Sequence, residues 1–157
     1  MGLRVQGELT ELRPVTDGDV EMLLAWHADP EVARYWDGQT YTAEEMRERL
    51  ARPDVDRYVI EAEAEPVGFI QAWREGNEGG LDMFLVPSAR GRGYGPDAAR
   101  ALAAHCSAAG WTRVITDPYT WNEAAVRAWR QAGFEPVEER PPDDDHSSPW
   151  LLMEFRV

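Results

Sequence analysis

The amino-acid sequence predicts one α/β domain, a mixed and mostly antiparallel sheet flanked by helices. Three observations predict it. Strand and helix signals alternate along the chain. A glycine-rich loop stands between a strand and a helix. The 157 residues, 43% of them hydrophobic and seven of them tryptophan, suit one core spanning 1–157.

Leu9 to Arg13 reads as a first strand that Pro14 ends. Thr16 caps a helix reaching about His27, with Val20, Leu23 and Leu24 on one face. Asp29-Pro30 starts a short helix, cap followed by proline at the first helical position. Thr42 and Glu45 form a capping box for a third helix, which ends near Arg52-Pro53. Strands over Arg57 to Ala62 and Val67 to Trp73 flank a hairpin turn at Glu63 to Pro66. A glycine-rich turn, Gly76 to Gly80, precedes a strand from Leu81 to Val86. After the loop Arg90 to Gly95, a helix runs from Pro96 to about Ala109 and stops at Gly110. Arg113 to Thr116 is a strand, and Asn122 caps a helix ending at Gly133. The last strands are Phe134 to Glu139 and Trp150 to Val157, joined by a mobile acidic loop, Pro141 to Pro149.

Sixteen basic against twenty-nine acidic residues give a net charge of −13. Such a field repels nucleic acid and anionic membrane and attracts cations. Mean hydropathy is −0.53, and no apolar run approaches a membrane span. The N-terminal residues carry no secretory h-region, so a soluble, cytoplasmic protein is expected. The sole cysteine, Cys106, leaves no internal disulfide and reads as a small apolar residue on a helix face. His27, His105 and His146 show no metal-ligand spacing, so no metal is expected and the histidines are assigned no chemistry.

Arg90-Gly91-Arg92-Gly93-Tyr94-Gly95 follows a strand and opens a helix. Its glycines let the backbone approach a ligand. Free N–H groups and the dipole at the helix start favour a phosphate. Two arginines add positive charge to an acidic chain. The absence of Gly-Lys-Ser/Thr argues against a P-loop, and the spacing is not the dinucleotide fingerprint.

Here the sequence resembles the GNAT superfamily of N-acetyltransferases. Arg90, Gly93 and Gly95 match its phosphate motif, Gln/Arg-x-x-Gly-x-Gly/Ala. Asn122, Ala125, Trp129, Gly133 and Phe134 match a second block, with Trp129 where many members carry tyrosine. The resemblance implies a GNAT fold and acetyl-CoA as co-substrate. Amides from Gly91 to Gly95, through Arg92, Gly93 and Tyr94, would hold the pyrophosphate. The strand at Leu85 and Val86 would pair with pantetheine and polarise the thioester, and Asn122 would touch the cofactor arm. Two departures stand out. Pro96 offers no N–H to a phosphate, next to it Asp97 puts a carboxylate near the loop or at the helix N-terminus it would stabilise, and the Trp129 indole cannot protonate a leaving thiolate as the family tyrosine does.

Three segments resemble the aminoglycoside 6′-N-acetyltransferase branch: Gly80 to Leu85, Thr116-Asp117-Pro118, and the Trp-rich Arg34 to Gly38. By that resemblance Asp82 is the candidate base and Asp117 the candidate anchor for acceptor amino groups. Trp36 and Asp37 fit either a sugar-stacking wall with a carboxylate rim or a core tryptophan in a helical hinge. Tyr119 and Trp121 would border the acceptor, and Asp143 to Asp145 read as a solvated tip. Clustered carboxylates would raise one another's pKa toward that of a useful base and orient a cationic amine.

The expected reaction is acetyl transfer, by direct attack on the thioester, to a primary amine of a polycationic small molecule, with the 6′-amine of an aminoglycoside as leading acceptor. A relative that acylates a lysine-type or siderophore amine or a protein N-terminus is the alternative enzyme. A non-catalytic acyl-CoA-binding module is the alternative of another class. The expected partners include neither nucleic acid nor membrane, and the sequence leaves monomer or homodimer open.

Overall fold

A computed structural model of the chain describes residues 3–36 and 40–156. Asp37, Gly38 and Gln39 lie outside the described residues, and with them the expectation placed on Asp37. Eight strands form one sheet in the order β1-β2-β3-β4-β5-β6-β8-β7. They are β1 (Val5–Gln6), β2 (Glu11–Pro14), β3 (Val55–Ala62), β4 (Glu65–Glu75), β5 (Glu78–Leu85), β6 (Arg113–Thr116), β7 (Phe134–Arg140) and β8 (Trp150–Phe155). Every neighbouring pair is antiparallel except β5–β6. The helices are α1 (Val20–Ala28), α2 (Pro30–Ala33), α3 (Ala43–Leu50), α4 (Tyr94–Ala108) and α5 (Glu123–Ala132). None of them is long and apolar enough to cross a membrane.

The central strands are covered on both faces. Residues 67–72 of β4 are buried without a break, the pattern of a strand with no solvent side. Period-2 alternation sends Ile70, Ala72 and Leu81 to one face, against α4 residues Ala99, Leu102 and Ala103. Phe69 and Phe84 go to the other, against Val20 and Leu23 of α1, Val32 of α2 and Met46 of α3. Cys106 belongs to the first cluster, and burial pushes its thiol up to about 12, as befits a packing residue.

Three boundaries differ from the sequence expectation. The two-residue β1 was not expected, since so short a strand has no periodicity to read. α4 starts at Tyr94 rather than Pro96, because proline is tolerated anywhere in a first turn. β5 starts at Glu78, inside the supposed turn. Gly79 and Gly80 are strand residues whose missing side chains make room for the Trp73 carbonyl and indole.

Asp97 also departs from expectation. Rather than facing the glycine loop, its carboxylate accepts hydrogen bonds from the N–H groups of Glu8, Leu9 and Thr10 at 2.9–3.0 Å. The Thr10 hydroxyl adds a fourth at 2.7 Å. Burial opposes ionisation, but the Thr10 hydroxyl and the three amides outweigh it and hold the carboxyl below its ordinary range. The start of α4 is thereby pinned to the β1–β2 turn.

In the second cluster His27 is buried among the rings of Trp36, Tyr41, Phe69 and Phe84, with Nδ1 lacking a partner among the described residues. Burial, helped by the positive charge of Arg49, lowers its pKa from 6.5 to about 4. The unfolded chain therefore takes up this proton between pH 6.5 and 4 and the folded one does not, so stability falls as pH drops through that window. A shift of this size corresponds to about 3 kcal/mol. In chemical denaturation from pH 7 to 4.5, which spans most of that window, the wild type should lose about 2 kcal/mol more stability than His27→Phe; parallel losses would contradict the assignment.

Candidate active site

The site forms where β5 and β6 part. Their register runs Glu78↔Arg113, Gly79↔Val114, Gly80↔Ile115 and then stops, although β5 continues to Leu85. The Val86 N–H is already bonded to the Val67 carbonyl at 2.9 Å. Strand alternation then turns the peptide groups of Leu85 and Met83 to the opposite, unpaired edge. The Thr116 hydroxyl reaching the Leu81 carbonyl at 3.1 Å fits the same alternation. Of the two expected backbone contacts, Leu85 has its peptide group facing the opening. The Val86 amide is committed to β4, and Met83 takes a place the sequence reading did not give it.

Two cavities meet at this opening. One, of about 440 Å³, runs along Leu85, Arg90, Gly91, Gly93, Gly95 and the outer face of α5. Gly91 and Gly93 have φ of +78° and +84°, the left-handed region in which a side chain is strained. Gly93 caps α4, so the N–H groups of the first turn point out of the helix beside this cavity. Arg92 is exposed and Tyr94 packs against the core. Arg90 is held sideways: it donates to the Glu31 carbonyl at 2.7 Å and lies over the Tyr35 ring.

The second cavity, of about 250 Å³, is bordered by Trp36, Asp82, Asp117, Tyr119, Trp129 and His146. Tyr35, Met83, Asn122 and Ala125 border both. The Asn122 side chain also caps α5, accepting from the Ala125 N–H at 3.2 Å. Trp36 sits edge-on to Phe69 and Phe84 while touching the cavity, so it is at once a packing residue and a wall. Trp129 is buried edge-on to Phe134.

Asp82 shares the β5 face of Phe84, and Gln71 stands opposite it in the β4–β5 register. Gln71 Nε2 donates to Asp82 Oδ2 at 3.0 Å and fixes the carboxylate. Burial, then the charge of Asp117, raises the Asp82 pKa from 3.8 to about 7. A carboxylate in that range accepts a proton near neutral pH far better than an ordinary aspartate.

Asp117 lies just past the end of β6, and His146 Nε2 is 2.7 Å from its Oδ2. The loop expected to be mobile is tied down. Asp143 and His146 exchange backbone hydrogen bonds, Thr120 N–H reaches the Pro149 carbonyl, and Leu151 N–H reaches the Pro118 carbonyl. The Tyr119 hydroxyl accepts from the Ser147 N–H, and its ring stacks on Trp121, which stacks on Tyr35. Sequence reasoning missed Gln71 and His146. A lone glutamine in the apolar run of β4 was a readable signal; the pairing of His146 with a residue 29 positions away was not.

Residues 10–135 match the acetyltransferase (GNAT) domain family. The chain belongs to the GNAT family of acetyltransferases. As a GNAT protein it is an acetyl-CoA-dependent N-acetyltransferase on a half-barrel-like mixed sheet. Aminoglycoside N(6′)-acetyltransferase type 1 of Klebsiella pneumoniae is 28% identical over 146 residues, covering 79% of this chain and 73% of that protein. The Serratia marcescens protein of the same name matches equally. Among solved structures, AAC(6′)-Ib in complex with paromomycin and acetyl-CoA superposes with a TM-score of 0.83 at 26% identity, covering 94% and 93% of the two chains.

Gly93→Val should weaken acetyl-CoA binding at least tenfold in calorimetry, because its left-handed φ and proximity to the cavity tolerate no branched side chain. An unchanged dissociation constant would remove this loop from the donor groove.

Proposed function

We propose that this GNAT enzyme acetylates a primary amine of a polycationic small molecule, with the 6′-amine of an aminoglycoside as its acceptor. What carries this reading is the convergence of Asp82 and Asp117 on one cavity that shares walls with the glycine-loop groove. Acidic walls attract cationic amines, and the chain's charge of −13 adds a steering field. The names of the relatives point the same way.

The residues fit acetyl-CoA. The first turn of α4 offers N–H groups to a pyrophosphate, and the unpaired edge of β5 offers peptide groups to an extended amide-bearing arm. Asp82 would take the proton of the attacking amine, directly or through a water. The neutral nitrogen bonds to the thioester carbonyl carbon, and β5 peptide N–H stabilises the oxyanion. Collapse breaks the carbon–sulfur bond and leaves the thiolate of coenzyme A. Trp129 has no acidic proton to give that sulfur, so the thiolate leaves bare or draws a proton from water. Asp117 and the rim at Trp36 and Tyr119 would seat the acceptor.

A thiol-release assay with acetyl-CoA and kanamycin or tobramycin tests the reading directly. Asp82→Asn should lower kcat by 10²–10⁴, the usual contribution of a general base. The wild-type rate should fall as pH drops through about 7, where Asp82 gains its proton. Turnover of lysine derivatives or peptides but no aminoglycoside would replace the acceptor; tight acetyl-CoA binding with no turnover across all three classes would leave a binding module. Asp117→Asn should raise the acceptor KM roughly tenfold, the loss of one charged contact, and leave acetyl-CoA affinity unchanged. Equal effects on both substrates would deny Asp117 a special role.

A further inference from the structure

Asp117 and the hairpin tip share a charge that the reaction above does not use. Both ring nitrogens of His146 face carboxylates: Nδ1 is 2.7 Å from Asp143 Oδ1, and Nε2 is 2.7 Å from Asp117 Oδ2. A neutral imidazole has one N–H and would aim a lone pair at one of them; only the imidazolium donates to both. The ring stacks on Trp150 at 4.2 Å and 14°, a geometry that favours a cation. Trp150 Nε1 donates to the other oxygen of Asp143 at 3.2 Å, and the Tyr119 ring meets His146 edge-on at 6.0 Å. The His146 side chain is 13% exposed, so neighbouring protein groups rather than solvent set most of its surroundings.

Among the described residues several charged groups face it or its cavity. Asp117 faces it from the segment after β6, and Asp143 from its own tip. Asp145 and Asp82 border the same cavity, and Arg140 lies over the Trp150 ring. Two carboxylates on one half-closed cavity, Asp82 and Asp117, disfavour each other's ionisation unless a cation stands by. In the protein alone His146 supplies the larger part of that positive charge at Asp82, and Arg49 a smaller part.

We propose that protonated His146 is a positioning residue of the acceptor pocket, supplying the counter-charge that lets Asp82 and Asp117 stand together as carboxylates. It acts through Asp117, the carboxylate its Nε2 faces at 2.7 Å. Its kinetic consequence rests on the acetyl-transfer reading given above; its electrostatic consequence does not. Burial works against the charge on His146, but hydrogen bonds from its ring to Asp117 and Asp143 prevail and raise its pKa above 6.5. Its positive charge in turn favours the ionised form of Asp82. Loss of that charge should make Asp82 harder to ionise.

Carboxyl-carbon NMR of Asp82, assigned through Asp82→Asn, reads this in the wild type, His146→Gln and His146→Arg. Glutamine keeps a donor without the charge; arginine restores the charge. The Asp82 titration midpoint should rise by about one pH unit in His146→Gln and return toward the wild-type value in His146→Arg. Ring-carbon NMR of wild-type His146 should show a midpoint above 6.5, which needs no folded variant beyond the one used for assignment. Where an amine is turned over, the acid limb of kcat/KM should move with Asp82 while acetyl-CoA affinity stays fixed. An Asp82 midpoint that is the same in all three proteins, or that shifts equally in both variants, overturns the proposal. So does a wild-type His146 midpoint at or below 6.5. If no amine is acetylated, the function proposed above falls while the titrations still decide the role of His146.

Discussion

The parting of β5 from β6 is the constraint on which the site depends. A parallel pair needs a long crossover, here supplied by α4, and a crossover delivers a helix N-terminus to the strand ends. Three pairs of residues hold the two strands before they separate, and everything past Gly80 on that edge is left to other partners. The glycine loop, the exposed peptide groups of Leu85 and Met83, and the carboxylates of Asp82 within β5 and Asp117 after β6 are gathered by this one departure from the ladder. The remaining six pairings of the sheet are antiparallel, and one of them, β4–β5, holds the other edge of β5 along its whole length.

Electrostatics divides the opening into two unlike halves. The donor side presents helix amides and two arginines, one of them, Arg90, spent on holding α2 and Tyr35 in place. The acceptor side presents carboxylates whose mutual repulsion the fold moderates locally. Gln71 steadies Asp82, and His146 sits on Asp117. Between them runs a row of stacked rings, Tyr35 on Trp121 on Tyr119, which ties the glycine-loop side to the hairpin tip. Both cavities thus share walls as well as an entrance.

Much of this was legible in residue order. A strand, a glycine run and a helix in succession located the loop, and the Asn122 cap located α5, because both signals are local and carry their own geometry. Asp82 was legible only through the resemblance of Gly80 to Leu85 to the aminoglycoside 6′-N-acetyltransferase branch. What escaped notice had non-local causes. Gly79 and Gly80 looked like a turn because glycine usually marks one, whereas here its lack of a side chain admits a tryptophan packed across the strand. Asp97 looked like a helix-start charge beside a ligand loop, and its partners turned out to be residues 8–10. His146 showed no ligand spacing, and its meaning appears only when the last hairpin folds back over the end of β6.

The Asp97 clamp has a consequence for how the chain assembles. It joins segments separated by 87 to 89 positions, so the helix that frames the donor groove is seated only after most of the polypeptide has been made and closed on itself. During synthesis the early residues must wait, unpaired, for a carboxylate that emerges far later from the ribosome. The helix end that offers its amides to a nucleotide-bearing donor thus depends on closing a loop of nearly ninety residues.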